Sequence, residues 1–157
     1  MYKRQILSLY FLFQLPFSQN NYNPLKILFL LVVIWSSDSA GYLIGIKFGK
    51  RKLMKSISPK KTIEGLTASL FFALIISLIF GIMTDYDNLL ELSLIGLFTA
   101  FLGSIGDLIE SKFKRQSGLK DSGKILKSHG GIYDRLDSLI FSAPFLYLMY
   151  SFNFLNF

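Results

Sequence analysis

Long apolar blocks and short polar ones alternate along this chain. Leu25–Ser37 continues through Ala40–Gly49 with a single acid, Asp38, inside it. Leu66–Thr84 carries no charge, and Leu89–Ile109 has Glu91 near its start and Asp107 near its end. Leu139–Phe157 is again uncharged. Each block approaches the ~20 residues a helix needs to cross a hydrocarbon core of ~30 Å. A helix crosses it without leaving backbone groups unpaired. A shorter apolar segment, about 5–18, precedes a polar turn at Asn20–Pro24. The pattern predicts spans over about 25–47, 65–84 and 89–110, and a last one from about 133. A basic loop (about 48–62) and a long polar loop running to about 133 connect them. The expected fold class is all-α, a polytopic integral membrane helical bundle of four to five transmembrane helices. Ser58-Pro59 suits a turn or a helix start, and Thr62 with Glu64-Gly65 suits the opening of the next helix. Gly96, Gly103 and Gly106, with Ala100 and Ser104, give the third span a small-residue face fit for close helix packing.

Composition agrees. Of 157 residues 52% are hydrophobic and 17% charged, with a mean hydropathy of +0.45, which is too apolar for an ordinary soluble domain. The net charge of +7 is unevenly placed: of 17 Lys and Arg, seven lie in Lys47–Lys61 and seven in Lys112–Arg135. The connection Asp85–Glu91 is acidic. Two spans separate the basic loops, so both fall on one side, and the positive-inside rule makes that side cytoplasmic. Topology signalling and attraction to anionic lipid together account for most of this charge, but not for the embedded acids. A membrane-embedded chain without a reader motif argues against nucleic acid as a partner. The absence of cysteine excludes disulfides and thiolate metal sites. Lys3-Arg4 followed by Ile6–Phe17 imitates a signal peptide, but Gln14 and Pro16 interrupt it and no small-x-small site follows.

The densest chemistry lies in Ser111–Asp137, with Asp121, Asp134 and Asp137, the chain's single histidine, His129, and the pair Gly130-Gly131. Carboxylates bind divalent metal, Lys and Arg hold phosphate, and glycine lets a backbone approach a ligand. Together they point to phosphate chemistry at a membrane surface. Asp107, Glu110 and Lys114, spaced i, i+3, i+7, share one helix face, as an amphipathic helix end or a site would. Asp134 and Asp137, spaced i, i+3, suit either a helix N-terminus or a ligand pair. Asp38, among Ser36, Ser37 and Ser39, is either a helix cap or a buried functional acid. His129 alone cannot build a conventional zinc site. Lys60, Lys61, Lys112, Lys114, Arg115 and Lys120 could neutralise a triphosphate, or stand as solvated charges. No P-loop and no G-x-G-x-x-G occurs.

The run S-K-F-K-R-x4-K-D-S-G-x2-L-x2-H-G-G-I-x-D-R-L-D, Ser111 to Asp137, resembles the C-terminal pattern of phosphatidate cytidylyltransferases, the CDP-diacylglycerol synthases. Asp38–Tyr42 with Phe48-Gly49-Lys50, Ser58–Gly65 and Gly106–Ser111 match in the expected order, so the resemblance covers about Leu25 to Ser138. It divides the chain into a partial N-terminal membrane segment and turn, 1–24, and a catalytic membrane domain, 25–157. It implies transfer of a cytidylyl group from CTP to phosphatidate, a membrane lipid. Asp107 and Asp134 would hold Mg2+, with Asp137 a further ligand and Asp121 and Lys120 beside them. Lys60, Lys61, Lys114, Arg115, Arg135, His129, Gly130, Gly131 and Asp38 would bind substrate. The resemblance also implies a bacterial-type inner membrane with the catalytic loops cytoplasmic, and it admits K+ beside the divalent ion and a homodimer. Lys127 stands where the family usually has Pro or Gly. Family members carry further membrane helices ahead of the matched part. The implied chain therefore begins near the middle of such a protein, as a truncated copy, a split gene or a misplaced start would. The alternatives are a non-catalytic fragment or partner subunit, another lipid cytidylyltransferase, or a CTP-dependent lipid kinase. Lys120-Asp121 and the HGGxxDRxD pattern argue against the kinase.

Overall fold

A computed structural model describes residues 2–20, 22–54, 57–116, 118 and 133–152. Helix α1 (Tyr2–Gln14) runs into a 3-10 turn (Leu15–Asn20), and α2 (Leu25–Phe48) follows. A ribbon of β1 (Lys52–Met54) and β2 (Ser58–Thr62) leads to α3 (Ile63–Met83), α4 (Leu89–Gln116) and α5 (Tyr133–Ser151). The chain is an all-α bundle of membrane type. Among the described residues α2, α3 and α4 are long and apolar enough to cross a bilayer, and Ile6–Phe17 is a shorter apolar helix. Helix α5 is described only as far as Ser151, short of the apolar tail that would complete the expected last span.

The basic loop is an antiparallel ribbon, pairing Lys52 with Thr62 and Met54 with Ser58 across an irregularity. Pro59 lies inside β2, neither in a turn nor at a helix start. Both strands of a two-stranded ribbon are edges, so a residue without an N–H is tolerated there. Asp38 sits in the interior of α2, which removes the helix-cap alternative. The α2 start is instead supported by Asn23, whose Oδ1 accepts from Leu25 N at 2.9 Å.

Thr62 does open α3. Its backbone is extended and its Oγ1 accepts from Gly65 N at 3.1 Å, which satisfies one of the orphan donors of the first turn. Lipid offers no hydrophobic gain on helix association, so close backbone approach and van der Waals fit hold the helices together. Gly41 and Gly65 form such a crossing: a Cβ on Gly65 would lie 2.7 Å from Gly41 O. The small face of α4 acts likewise, for a Cβ on Gly106 would come within 2.5 Å of Phe141 Cβ on α5. The core gathers Phe29, Leu30, Val33 and Ile34 of α2 with Leu92 of α4 and Leu139, Leu146 and Tyr150 of α5. Phe29 meets Phe80 of α3 edge-on, centroids 5.3 Å apart. At the α2 start Lys26 is buried, its Nζ 5.1 Å from the centroid of the Tyr150 ring. Exposed large apolar side chains such as Trp35, Phe71 and Leu94 cover the outside, as expected where the solvent is hydrocarbon.

Candidate active site

At the end of the bundle that carries the ribbon, side chains from four elements converge. Lys61 of β2 reaches α4, where its Nζ lies 2.6 Å from Asp107 Oδ2 and donates to Ser104 O at 3.3 Å. The two side chains are 26% and 33% exposed, so the pair is neither dry nor fully solvated. Ser111, one turn on, donates from Oγ to Asp107 Oδ1 at 3.3 Å. Glu110 and Lys114 form an i, i+4 ion pair at 3.7 Å on the same stretch. Asp137 of α5 stands within electrostatic reach of Asp107, Glu110 and Lys114. Its Oδ1 accepts from Ser138 N at 2.7 Å. Asp38 of α2 is accessible, yet it lies beside Ser138 and feels both Asp107 and Lys61.

Two packing features produce this convergence. The Gly106 contact with Phe141 brings α4 and α5 together just below Asp107 and Asp137. The ribbon is fastened at both ends. At its base Glu64, in the first turn of α3, accepts from Lys50 N and Arg51 N at 3.1 Å each, and Ile63 N donates to Arg51 O at 2.9 Å. Near its turn Arg115 Nε donates to Ile57 O at 3.5 Å. In β2 Lys61 is partly buried against Asp107, whereas Lys60 is exposed.

Asp137 lies ahead of the apolar stretch of α5 that begins at Leu139. Asp137 is partly buried there and stands near the Asp107 carboxylate. Neighbouring acids in a partly desolvated place repel each other, and a cation beside them would relieve that repulsion. The oxygen donors suit a hard divalent ion. Among the described residues, however, no three acidic or histidine side chains come close enough to form a complete metal cage. Helix α5 begins at Tyr133, so Asp134 and Arg135 occupy its first turn, but their side chains lie outside the described residues. Lys120, Asp121, His129, Gly130 and Gly131 lie outside them altogether. Of the expected site residues the structure thus brings together Asp38, Lys61, Asp107, Lys114 and Asp137, and it leaves Lys60 outside the group. Arg115 is exposed and serves the ribbon. Sequence reasoning missed Ser111, Ser138 and the anchoring role of Glu64. Ser111 was findable as the i+4 neighbour of Asp107. Ser138 and Glu64 act through contacts that no local spacing reveals.

The model of the cytidylyltransferase family matches residues 5–153. The chain is 45% identical over 131 residues to a protein of Bacillus subtilis (strain 168) named phosphatidate cytidylyltransferase, covering 83% of this chain and 49% of that one. A protein of the same name from Staphylococcus saprophyticus is 45% identical over 124 residues, 78% of this chain and 48% of the other. One from Staphylococcus haemolyticus is 43% identical over 124 residues, with the same two coverages, 78% and 48%. The chain spans about half the length of the curated relatives it matches.

Proposed function

The chain belongs to the cytidylyltransferase family, and from that premise we propose that it carries the site at which a cytidylyl group passes from CTP to phosphatidate, giving CDP-diacylglycerol and pyrophosphate. The observation that carries this reading is the meeting of Asp38, Lys61, Asp107 and Asp137, from four separate elements, at one end of the bundle. Asp107 lies in the last third of a long apolar helix, where an acid is costly unless it has a task.

The reaction brings two anions together and builds charge on a leaving group. An oxygen of the phosphatidate phosphomonoester attacks the α-phosphorus of CTP. The bond from that phosphorus to the α,β-bridging oxygen breaks, and its electron pair leaves with pyrophosphate. The attacking oxygen is already anionic at neutral pH, so a strong general base is unnecessary. Lys61, held at Asp107, and Lys114, near Asp137, offset the charge of the two phosphates. Asp107 and Asp137 offer the carboxylate oxygens that would hold a magnesium ion, with Asp134 expected to join them from the start of α5. When bound, that ion neutralises phosphate charge and polarises the phosphoryl oxygens. Ser111 orients the Asp107 carboxylate, and Ser138 sits between Asp38 and Asp137. The lipid phosphate would reach this group from the cytoplasmic leaflet of the cell membrane.

The reading is tested by reconstituting the chain in bilayers with phosphatidate, magnesium and CTP labelled at the α-phosphate. Label should enter the lipid phase as a liponucleotide, with pyrophosphate released. Transfer of the γ-phosphate to a lipid alcohol would replace this reading with a lipid kinase. Absence of both nucleotide binding and transfer would overturn it.

A further inference from the structure

The ribbon that carries Lys61 cannot hold itself in place. Among the described residues its strands are joined at Lys52 with Thr62 and at Met54 with Ser58, with an irregularity between. A two-stranded ribbon alone is marginal in water, so the place of the Lys61 ammonium depends on what fastens the ribbon from outside. On the α3 side the backbone next to Lys61 is fixed by Thr62. Its Oγ1 accepts from Gly65 N at 3.1 Å, and its side chain packs against α2, where a Cβ on Gly49 would come within 2.6 Å of Thr62 Cγ2. On the α2 side the fastening is Glu64. Its Oε2 accepts from Lys50 N at 3.1 Å, and Arg51 N donates to both oxygens, at 3.1 and 3.2 Å. Arg51 O in turn accepts from Ile63 N at 2.9 Å. A charged acceptor holds such exposed N–H groups against water better than a neutral one. At the far end the bond from Arg115 Nε to Ile57 O is longer, 3.5 Å, so the base carries more of the constraint.

We propose that Glu64 is a positioning residue for Lys61: by holding the N–H groups of Lys50 and Arg51, its carboxylate fixes the ribbon base and so delivers the Lys61 ammonium to Asp107. The role needs both the two acceptor oxygens and the length of the side chain. Glutamine has one acceptor and would turn an NH2 group toward a backbone N–H. Aspartate keeps the charge and suits the first turn of α3 as well as glutamate does. Its carboxylate, however, falls short by one carbon–carbon bond, about 1.5 Å. The effect on turnover rests on the proposed transfer reaction, whereas the placement of Lys61 is independent of it.

The placement is read by lysine chemistry. The full chain in bilayers is treated with a limiting amount of a membrane-permeant amine-acylating reagent, and acylation of Lys60 and Lys61 is compared by peptide mass spectrometry. Lys61, held at Asp107 and 26% exposed, should react several-fold less than Lys60 in the parent, and Asp107→Asn gives the level of a released Lys61. Glu64→Gln and Glu64→Asp should both raise Lys61 acylation several-fold toward that level and leave Lys60 unchanged. Unchanged Lys61 acylation in both variants would overturn the proposal. So would parental behaviour of Glu64→Asp, because charge at the start of α3 would then suffice. Turnover should fall by about ten- to a hundred-fold in each variant, the scale of a displaced reacting group. In a Lys61→Met background neither variant should lose more than about two-fold further. An equal loss in both backgrounds would show that Glu64 acts on something other than Lys61 and would overturn the proposal. A parent without turnover would count against the transfer reaction, and the acylation pattern would still decide the role of Glu64.

Discussion

Lys61 and Asp107 are 46 residues apart in sequence, and among the described residues their contact is the ion pair that joins the ribbon to the helices. Because the two side chains are about one-quarter and one-third exposed, solvent screens the pair and its contribution to stability is small. Its weight is in position: an ammonium held beside a carboxylate is ready to meet a phosphate. Lys61→Met should lower turnover by about a hundred-fold, the scale seen when one preorganised charge donor is removed. Lys61→Arg should restore part of it, while membrane insertion stays normal in both. Steady-state kinetics on reconstituted protein checks this, and unchanged turnover in Lys61→Met would leave the pair structural. Lys60→Met should have a much smaller effect, because Lys60 is exposed and it is Lys61 that pairs with Asp107. The sequence presented these two lysines as equivalents. Only the placement of β2 against α4, itself hidden in a Lys- and Pro-rich stretch, distinguishes them.

The helices were the readable part. Expected spans at about 25–47, 65–84 and 89–110 lie close to α2 at Leu25–Phe48, α3 at Ile63–Met83 and α4 at Leu89–Gln116. Runs of apolar side chains as long as the bilayer is thick leave few other structures possible. The small-residue face of α4 was readable too, and Gly96, Gly103 and Gly106 each meet a neighbouring helix. The ribbon was not readable. It has three residues in one strand and five in the other, and its fixed geometry comes from Glu64 and Arg115, which lie outside it. Two outcomes belong to this scale. Thr62→Val removes the α3 cap and should cost about 1 kcal/mol, seen as a lower midpoint in thermal denaturation in detergent. Gly106→Leu would force side-chain atoms into Phe141 and should cost about 1–3 kcal/mol. It should also part Asp107 from Asp137, so activity should fall further than stability alone accounts for.

At the scale of the whole molecule, the bundle places one acidic connection and one basic ribbon at opposite ends, and the candidate site lies at the basic end. The natural absence of cysteine allows the orientation to be read with single engineered thiols. Lys52→Cys should react with a membrane-impermeant reagent from the cytoplasmic side and Asn88→Cys from the opposite side. Labelling of both from the same side would overturn the proposed orientation. The site was legible as a set of residue types and only partly as a place. Asp38 and Asp107 stood out because acids in apolar surroundings are costly, and Asp137 because it is spaced i, i+3 from Asp134 next to Gly130-Gly131 and Arg135. Their meeting depends on helix crossings that no spacing along the chain encodes. The central claim is that Asp107 and Asp137 act together as the cation-holding acids of cytidylyl transfer. Its most direct test is magnesium-dependent turnover of Asp107→Asn and Asp137→Asn, measured beside their thermal midpoints. Asparagine keeps the shape and removes the charge that a hard cation needs. The account predicts that each variant loses at least about a hundred-fold in turnover, with insertion and midpoint near those of the parent. Near-parental turnover in either variant at ordinary magnesium concentrations would contradict it.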